Sequence, residues 1–263
     1  MKIFLDVGGH LGETLNEILK KKYYFDKIYC FEPSKKCFQS LRKFKDSRLK
    51  IFNFGLSNKN QNIKLYNPGL VNASIFTNNK NDRKNEYEII KLVKTSEWFK
   101  KNLKYNDIIV VKLNCEGSEC DIVDDLITSK ELKKIYNILI TFDIREFKNL
   151  KSRELEIRKK LKKTSLNNYC FSDNVMKGVT HKKRIQNWLE IIGVNTRIHK
   201  LEDLNKKYYN ILKKYSNKSG LFNRFENNIK ILLKYNDYPK SIKIVLQKLK
   251  RLLGLSRDLP YKK

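Results

Sequence analysis

"FLDVGGHLGETL", residues 4–15, decides how this chain is read. An apolar run ends on Asp6, three glycines fall within the next six positions, and helical spacing begins at once. The chain has only 10 glycines in 263 residues, so three here are a concentration. A tight turn asks for one. Three behind a strand imply that something approaches the backbone closely. Gly8 suits the turn, and Gly9 or Gly12 suits a ligand meeting backbone N–H groups at the start of a helix.

Across the N-terminal half, short apolar runs alternate with helical spacing. "KIFLDV" (2–7) reads as a buried strand and "ETLNEILKKK" (13–22) as a helix with Leu15, Ile18 and Leu19 on one face. "KIYCFEP" (27–33) is a second strand, stopped by Pro33, with a helix over 35–44. "LKIFNFGLS" (49–57) is a third strand and "NIKLYN" (62–67) a short fourth. The asparagine-rich stretch 72–87 reads as a loop, followed by a helix over 95–103 capped by Thr95 or Ser96. "DIIVVKLNCEG" (107–117) is the most apolar strand, with a helix over about 118–126 and a further strand over 136–144. Such alternation argues for βαβ units and a mostly parallel sheet. The expected fold is α/β and Rossmann-like over residues 1–175, the sheet flanked by helices.

Beyond it, 176–263 reads as a basic, mainly helical extension. Just before the boundary, a helix is expected over 152–163 and a strand over 168–174. Residues 241–255 place Ile242, Val245, Leu249 and Leu252 along one helical face, with most lysines elsewhere. A helix of that kind packs on its own domain, or lies along a membrane or an anionic polymer.

Charge is distributed unevenly. Residues 151–263 hold 29 Lys/Arg against 9 Asp/Glu, so +20 of the chain's net +29 falls in this part. A basic half points to an anionic partner: nucleic acid, a phosphorylated or nucleotide-linked substrate, or an acidic membrane surface. A solvated surface rich in lysine is the plainer reading. The five cysteines form no CxxC pair and show no zinc spacing, as expected of reduced thiols in a cytoplasmic protein. "MKIFLDV" is too short for the apolar core of a signal peptide, and no run approaches the roughly 18 apolar residues of a membrane span. A cytoplasmic protein is expected, at most peripheral at the inner face of the membrane.

Asp6, Gly8 and Gly12 make D-x-G-x-x-x-G, not the G-x-G-x-x-G of dinucleotide sites. Glu32 closes the next strand 26 residues after Asp6, near the spacing at which an acid takes ribose hydroxyls. "VVKLNCEGSECDIV" (110–123) brings Asn114, Glu116 and Glu119 to the carboxyl end of the most apolar strand, where open α/β sheets bind ligands.

Together, "FLDVGGHLGETL", "FEPS", "FGLSNKN", "VKTSEWF" and "VVKLNCEGSE" resemble, in order and spacing, the FkbM-type methyltransferases that use S-adenosylmethionine (SAM). The resemblance covers roughly residues 3–145. It implies a Rossmann-like fold, SAM as methyl donor, and transfer to a hydroxyl of a sugar or natural product. It gives the loop role to Asp6, Gly8, Gly9, His10, Gly12, Glu13 and Thr14, the ribose to Glu32, and a place near the adenosine to Ser57. Asn114 stands where the family usually has aspartate, and "TFDIRE" (141–146) lacks the family's Glu-x-His. Asparagine keeps a hydrogen bond and loses the charge, which makes a metal site less expected.

Methyl transfer needs aligned donor and acceptor and a base for the acceptor proton. Candidates are Glu116, Asp143, His181 and His10, with Glu116 leading by its place at the strand end and His10 more a shaper of the loop. The basic half favours an anionic acceptor: a sugar nucleotide, a phosphorylated sugar or a growing surface polysaccharide such as capsule or O-antigen. Alternatives are methylation of a phosphate or phosphoramidate ornament, RNA methylation, and a non-catalytic scaffold in glycan assembly.

Overall fold

All six residues of the first strand are buried, as expected of a central strand covered on both faces. The computed structural model of the chain describes residues 1–70, 73–76, 86–142 and 151–194. Strands β1 (Lys2–Val7), β2 (Lys27–Phe31) and β3 (Leu49–Phe52) alternate with helices α1 (Leu15–Ile18) and α2 (Lys35–Leu41). Strand β4 (Gly55–Ser57), β5 (Gln61–Tyr66), β6 (Tyr87–Lys94) and helix α3 (Thr95–Asn102) follow. The pattern resumes with β7 (Ile108–Leu113), α4 (Glu119–Thr128), β8 (Ile135–Ile140), α5 (Lys151–Lys163), β9 (Tyr169–Phe171), α6 (Ser172–Val175) and α7 (His181–Ile191). The larger sheet runs β3-β2-β1-β7-β8-β9 with every pairing parallel, a Rossmann-like α/β arrangement.

Successive side chains of β1 point to opposite faces. Ile3, Leu5 and Val7 enter a core shared with Trp98 and Phe99 of α3, Ile122 and Val123 of α4, and Ile157 and Leu161 of α5. Phe4 faces the other way, edge-on to Phe25 and to Trp188 of α7. Helix α7 is fixed there by polar bonds as well. Trp188 Nε1 donates to Asn137 Oδ1 (3.1 Å), Tyr136 Oη donates to the Ile192 carbonyl (2.9 Å), and the buried Lys2 ammonium donates to the Val194 carbonyl (3.2 Å). One compact unit accordingly runs Met1–Asn195 and includes α7, past the boundary expected at 175. Residues 195–263, with the expected helix over 241–255, lie outside the described residues.

Four local readings change. The helix expected over 13–22 is short, because Lys20, Lys22 and Tyr23 wrap around the buried Glu17 carboxylate and Arg48 Nη2 takes the Leu19 carbonyl. The strand expected over 49–57 divides between two sheets. At the break, Asn53 Nδ2 donates to the carbonyls of Glu32 and Pro33, holding the chain against the end of β2. Strand β6 has no counterpart in the expected elements; it pairs with β5 and β4 in a second, three-stranded sheet. Neither Thr95 nor Ser96 caps α3: Lys94 holds the cap position, and Ser96 instead gives its N–H and hydroxyl to Asp125. Among the described residues, no helix is long and apolar enough to cross a membrane.

Candidate functional site

Strand order reverses between β1 and β7, with β2 on one side and β8 on the other, so a crevice opens at their carboxyl ends. Several residues singled out in the sequence, Asp6, the glycines of 8–12, Glu32 and Asn114, lie at these ends. The turn after β1 is held by its own sheet: Gly8 and Gly9 both donate to the Phe31 carbonyl (3.1 Å), and Gly12 donates to Gly9 (2.8 Å). The His10 N–H goes to Glu32 Oε2 (2.7 Å).

What comes close to the glycines is protein. A Cβ on Gly8 would stand 1.7 Å from the Asn114 carbonyl oxygen, and one on Gly9 2.3 Å from Cys30 Sγ. On Gly12 it would stand 2.3 Å from the Phe44 ring. Gly8 and Gly12 also have φ of +83° and +90°, a region that L residues rarely adopt. Packing against β2, β7 and the end of α2 is thus a reason of its own for these glycines, beside the ligand approach expected of Gly9 or Gly12.

Beneath the loop lies a buried ion pair. Lys112 Nζ stands 3.1 Å from Asp6 Oδ1 and donates to the Gly8 carbonyl at 2.6 Å. Burial pushes the Asp6 carboxyl above its ordinary range, with the Lys112 charge opposing it. Burial would lower Lys112, but Asp6 outweighs it and raises the ammonium. Neither Asp6 oxygen accepts a well-aligned hydrogen bond among the described residues.

Glu32, at the end of β2, accepts from Ser34 N–H with Oε1 (2.9 Å) as well as from His10 with Oε2. Burial pushes its carboxyl up to about 7, and those two N–H groups and the charges of His10 and Lys112 hold it from rising further. On the outer side of the loop, His10 Nδ1 lies 3.1 Å from Glu13 Oε1. Burial works to raise Glu13, but its own N–H, His10 and His181 outweigh that and hold it low. Thr14 Oγ1 lies 3.0 Å from His181 Nε2, on the first turn of α7. Burial pushes the His181 imidazole down, and the Lys112 charge adds to this.

Across the crevice, Asn114 N–H donates to the Val7 carbonyl (3.1 Å), continuing the β1–β7 pairing into the turn. Glu116 has φ +52°, and its carbonyl accepts from Ser74 Oγ (2.6 Å). Glu119 is an internal clamp: its carboxylate accepts from Cys115 N–H (2.7 Å) and Gly117 N–H (2.8 Å). Ser57 is fully buried at the end of β4; its carbonyl accepts from Thr95 Oγ1 (2.8 Å) and its hydroxyl lies 3.5 Å from Asn58 Oδ1. Those bonds give it a structural part in the smaller sheet. Asp143 lies outside the described residues. Among the described residues, no group of three or more His, Cys, Asp or Glu is arranged to hold a metal.

One residue and one contact escaped the sequence reading. Lys112 is a lysine inside the apolar run "IIVVKL", and that position in a buried strand is itself a signal of a paired charge. The Thr14–His181 contact joins residues 167 apart, and no local pattern reveals it.

No family model matches the chain, and no curated protein does. A solved structure, the methyltransferase FkbM from Methylobacillus flagellatus KT, is similar at 15% identity, covering 61% of this chain and 37% of that one with a TM-score of 0.37. The chain thus spans little more than a third of that protein's length.

Proposed function

We propose that the protein is a SAM-dependent methyltransferase acting on a hydroxyl of a sugar unit, free as a nucleotide-linked precursor or part of a surface glycan. The observation that carries this reading is how the loop's donors are used. The N–H groups of Gly8, Gly9, His10 and Gly12 are all taken by protein oxygens. A pyrophosphate would need them free. The acid left at the carboxyl edge is Glu32, with the Asp6–Lys112 pair buried beneath the loop, and an acid there suits a ligand that brings a ribose diol. The five ordered motifs of the sequence agree with that ligand.

The residues fit SAM in chemical kind. Glu32 has lone pairs beyond the two N–H groups it accepts, and Asp6, paired with Lys112, holds the turn beneath it. When bound, SAM supplies a methyl group already activated by its sulfonium. The protein then has to orient an acceptor hydroxyl and remove its proton. Of the named bases, His181 has the best supporting geometry. Burial and the Lys112 charge push its imidazole pKa down, which favours the neutral form, and Thr14 lies 3.0 Å from its ring. In the tautomer where Nε2–H donates to Thr14, Nδ1 carries the free lone pair that takes the proton. Glu116 and Asp143 remain the alternatives.

The test is calorimetry of purified protein with SAM, alongside Glu32→Ala. Micromolar binding by the wild type, lost in the variant, supports the site, and nucleotide sugars are then screened for a SAM-dependent mass gain. A folded wild type that does not bind SAM overturns the proposal.

A further inference from the structure

Two consecutive peptide units of the glycine loop are each held at both ends. In the unit between Gly8 and Gly9, the N–H donates to the Phe31 carbonyl on β2 (3.1 Å) and the carbonyl accepts from Lys112 Nζ on β7 (2.6 Å). A trans peptide points these two groups in opposite directions. This unit therefore lies across the end of β1, from one neighbouring strand to the other. In the next unit, the Gly9 carbonyl accepts from the Gly12 N–H (2.8 Å) and the His10 N–H donates to Glu32 Oε2 (2.7 Å). Two of the partners are backbone groups of the sheet and the turn. The other two are side chains, Glu32 and Lys112.

The backbone here needs that hold. Gly8 sits at φ +83°, and neither Gly8 nor Gly9 has a Cβ, so the peptide between them meets little steric resistance to rotation. A rotated unit would turn the Gly9 N–H away from Phe31. His10, at φ +44°, is in a left-handed conformation that a non-glycine residue keeps only where its surroundings impose it. The sheet itself does not depend on the Lys112 side chain. Strands β1 and β7 pair through backbone from Lys2–Ile108 to Val7–Leu113, and the Asn114 N–H extends the pairing to the Val7 carbonyl. What the buried ammonium adds, beside its pairing with Asp6, is the bond to the loop.

We propose that Lys112 is a positioning residue for the cofactor: by pinning the Gly8–Gly9 peptide it fixes the His10 N–H, and through that N–H the Glu32 carboxylate. The inference rests on the methyltransferase reading for what Glu32 receives; the hold of Lys112 on Glu32 does not. Ser34 N–H meets Glu32 Oε1 (2.9 Å), so the His10 N–H decides whether the second oxygen is fixed as well. Burial raises the Glu32 carboxyl to about 7, and the N–H groups of Ser34 and His10 and the charges of His10 and Lys112 oppose that rise. The nearby Cys30 and Cys37 thiols are pushed up by burial and stay uncharged over the range where Glu32 titrates.

The experiment uses the full chain carrying Asp6→Leu/Lys112→Met, which replaces the buried pair by apolar side chains of similar size, a change that is often neutral for stability. Asp6→Asn/Lys112→Met is read in the same way and keeps the test open should the first protein not fold. Asp6→Asn alone is the control, since its amide oxygen still accepts from Lys112 and the pin stays. Hydrogen exchange of the His10 amide, the Glu32 titration by carboxyl-carbon NMR and calorimetric SAM affinity are measured for each. We expect the double variants to lose His10 protection and to titrate Glu32 above the wild-type value of about 7. They should bind SAM about tenfold more weakly, the scale of one hydrogen bond to a charged group. Asp6→Asn should stay near the wild type in all three. Folded double variants with wild-type exchange and titration overturn the proposal. Equal changes in Asp6→Asn also overturn it, by assigning the effect to Asp6. A wild type that does not bind SAM overturns the proposed reaction alone, since exchange and titration are read without SAM.

Discussion

Lys112 Nζ lies 2.6 Å from the Gly8 carbonyl, so the strand that forms one wall of the crevice also holds down the turn that forms the other. The same ammonium neutralises Asp6 in a site closed to solvent. Removing one partner of a buried pair leaves an uncompensated charge, at a cost of about 3 kcal/mol or more. Lys112→Met should therefore lower the urea midpoint sharply. Asp6→Asn/Lys112→Met should recover much of the loss, and a double variant no more stable than the single would show that the pair is not the cause.

Gly9 tests packing at the loop without the complication of an unusual φ. Gly9→Ala puts a methyl group onto Cys30 Sγ, an overpacking worth about 1–3 kcal/mol. Cys30→Ala removes the obstructing atom, so the two changes together should cost less than their sum. Denaturation of the four proteins in the cycle gives the coupling directly.

Glu32 makes SAM affinity depend on pH. Its carboxyl is pushed up to about 7, and the ionised form is the better acceptor for ribose hydroxyls. Affinity should fall as pH drops below about 7, by up to about tenfold per unit. Glu32→Gln should bind more weakly and without that dependence. The sign for folding is opposite: a raised carboxyl pKa favours the folded protein below its ordinary value, and that advantage is lost as pH rises through 7.

Glu17 behaves the other way. Burial alone would raise it, but Lys20, Tyr23, Gln186 and Lys22 hold it down to about 2. Its contribution is present above the ordinary carboxyl value and lost as pH falls toward 2, in total about 3 kcal/mol. Gln186 belongs to α7, so Glu17→Gln should flatten the acid limb of the stability curve and raise hydrogen exchange across His181–Ile191.

His181→Gln separates chemistry from binding. If the imidazole takes the acceptor proton, kcat should fall by about 10²–10⁴. SAM affinity should stay near the wild-type value, because Gln keeps a hydrogen bond to Thr14. Equal losses in both would assign His181 a structural part.

The larger sheet was legible because its central strands are continuous apolar runs, and the acids closing β1 and β2 stand in plain view. Strand β6 was not, since Glu88 and Lys91 interrupt its alternation and a polar stretch adjoins it. The short α1 depends on Arg48, which reaches the Leu19 carbonyl from another part of the chain. For the glycines, sequence shows that a backbone must be approached, and only packing shows that Asn114, Cys30 and Phe44 are among the visitors.

The anchoring of α7 has a consequence for how the protein is made. A ribosome delivers the glycine loop more than 160 residues before His181 and Gln186, which tie that region to α7, and before Val194, which receives Lys2. Such distant pairings close late in folding. The nascent chain therefore carries an incomplete crevice until α7 has been made, and α7 acts as a late fastening of the loop.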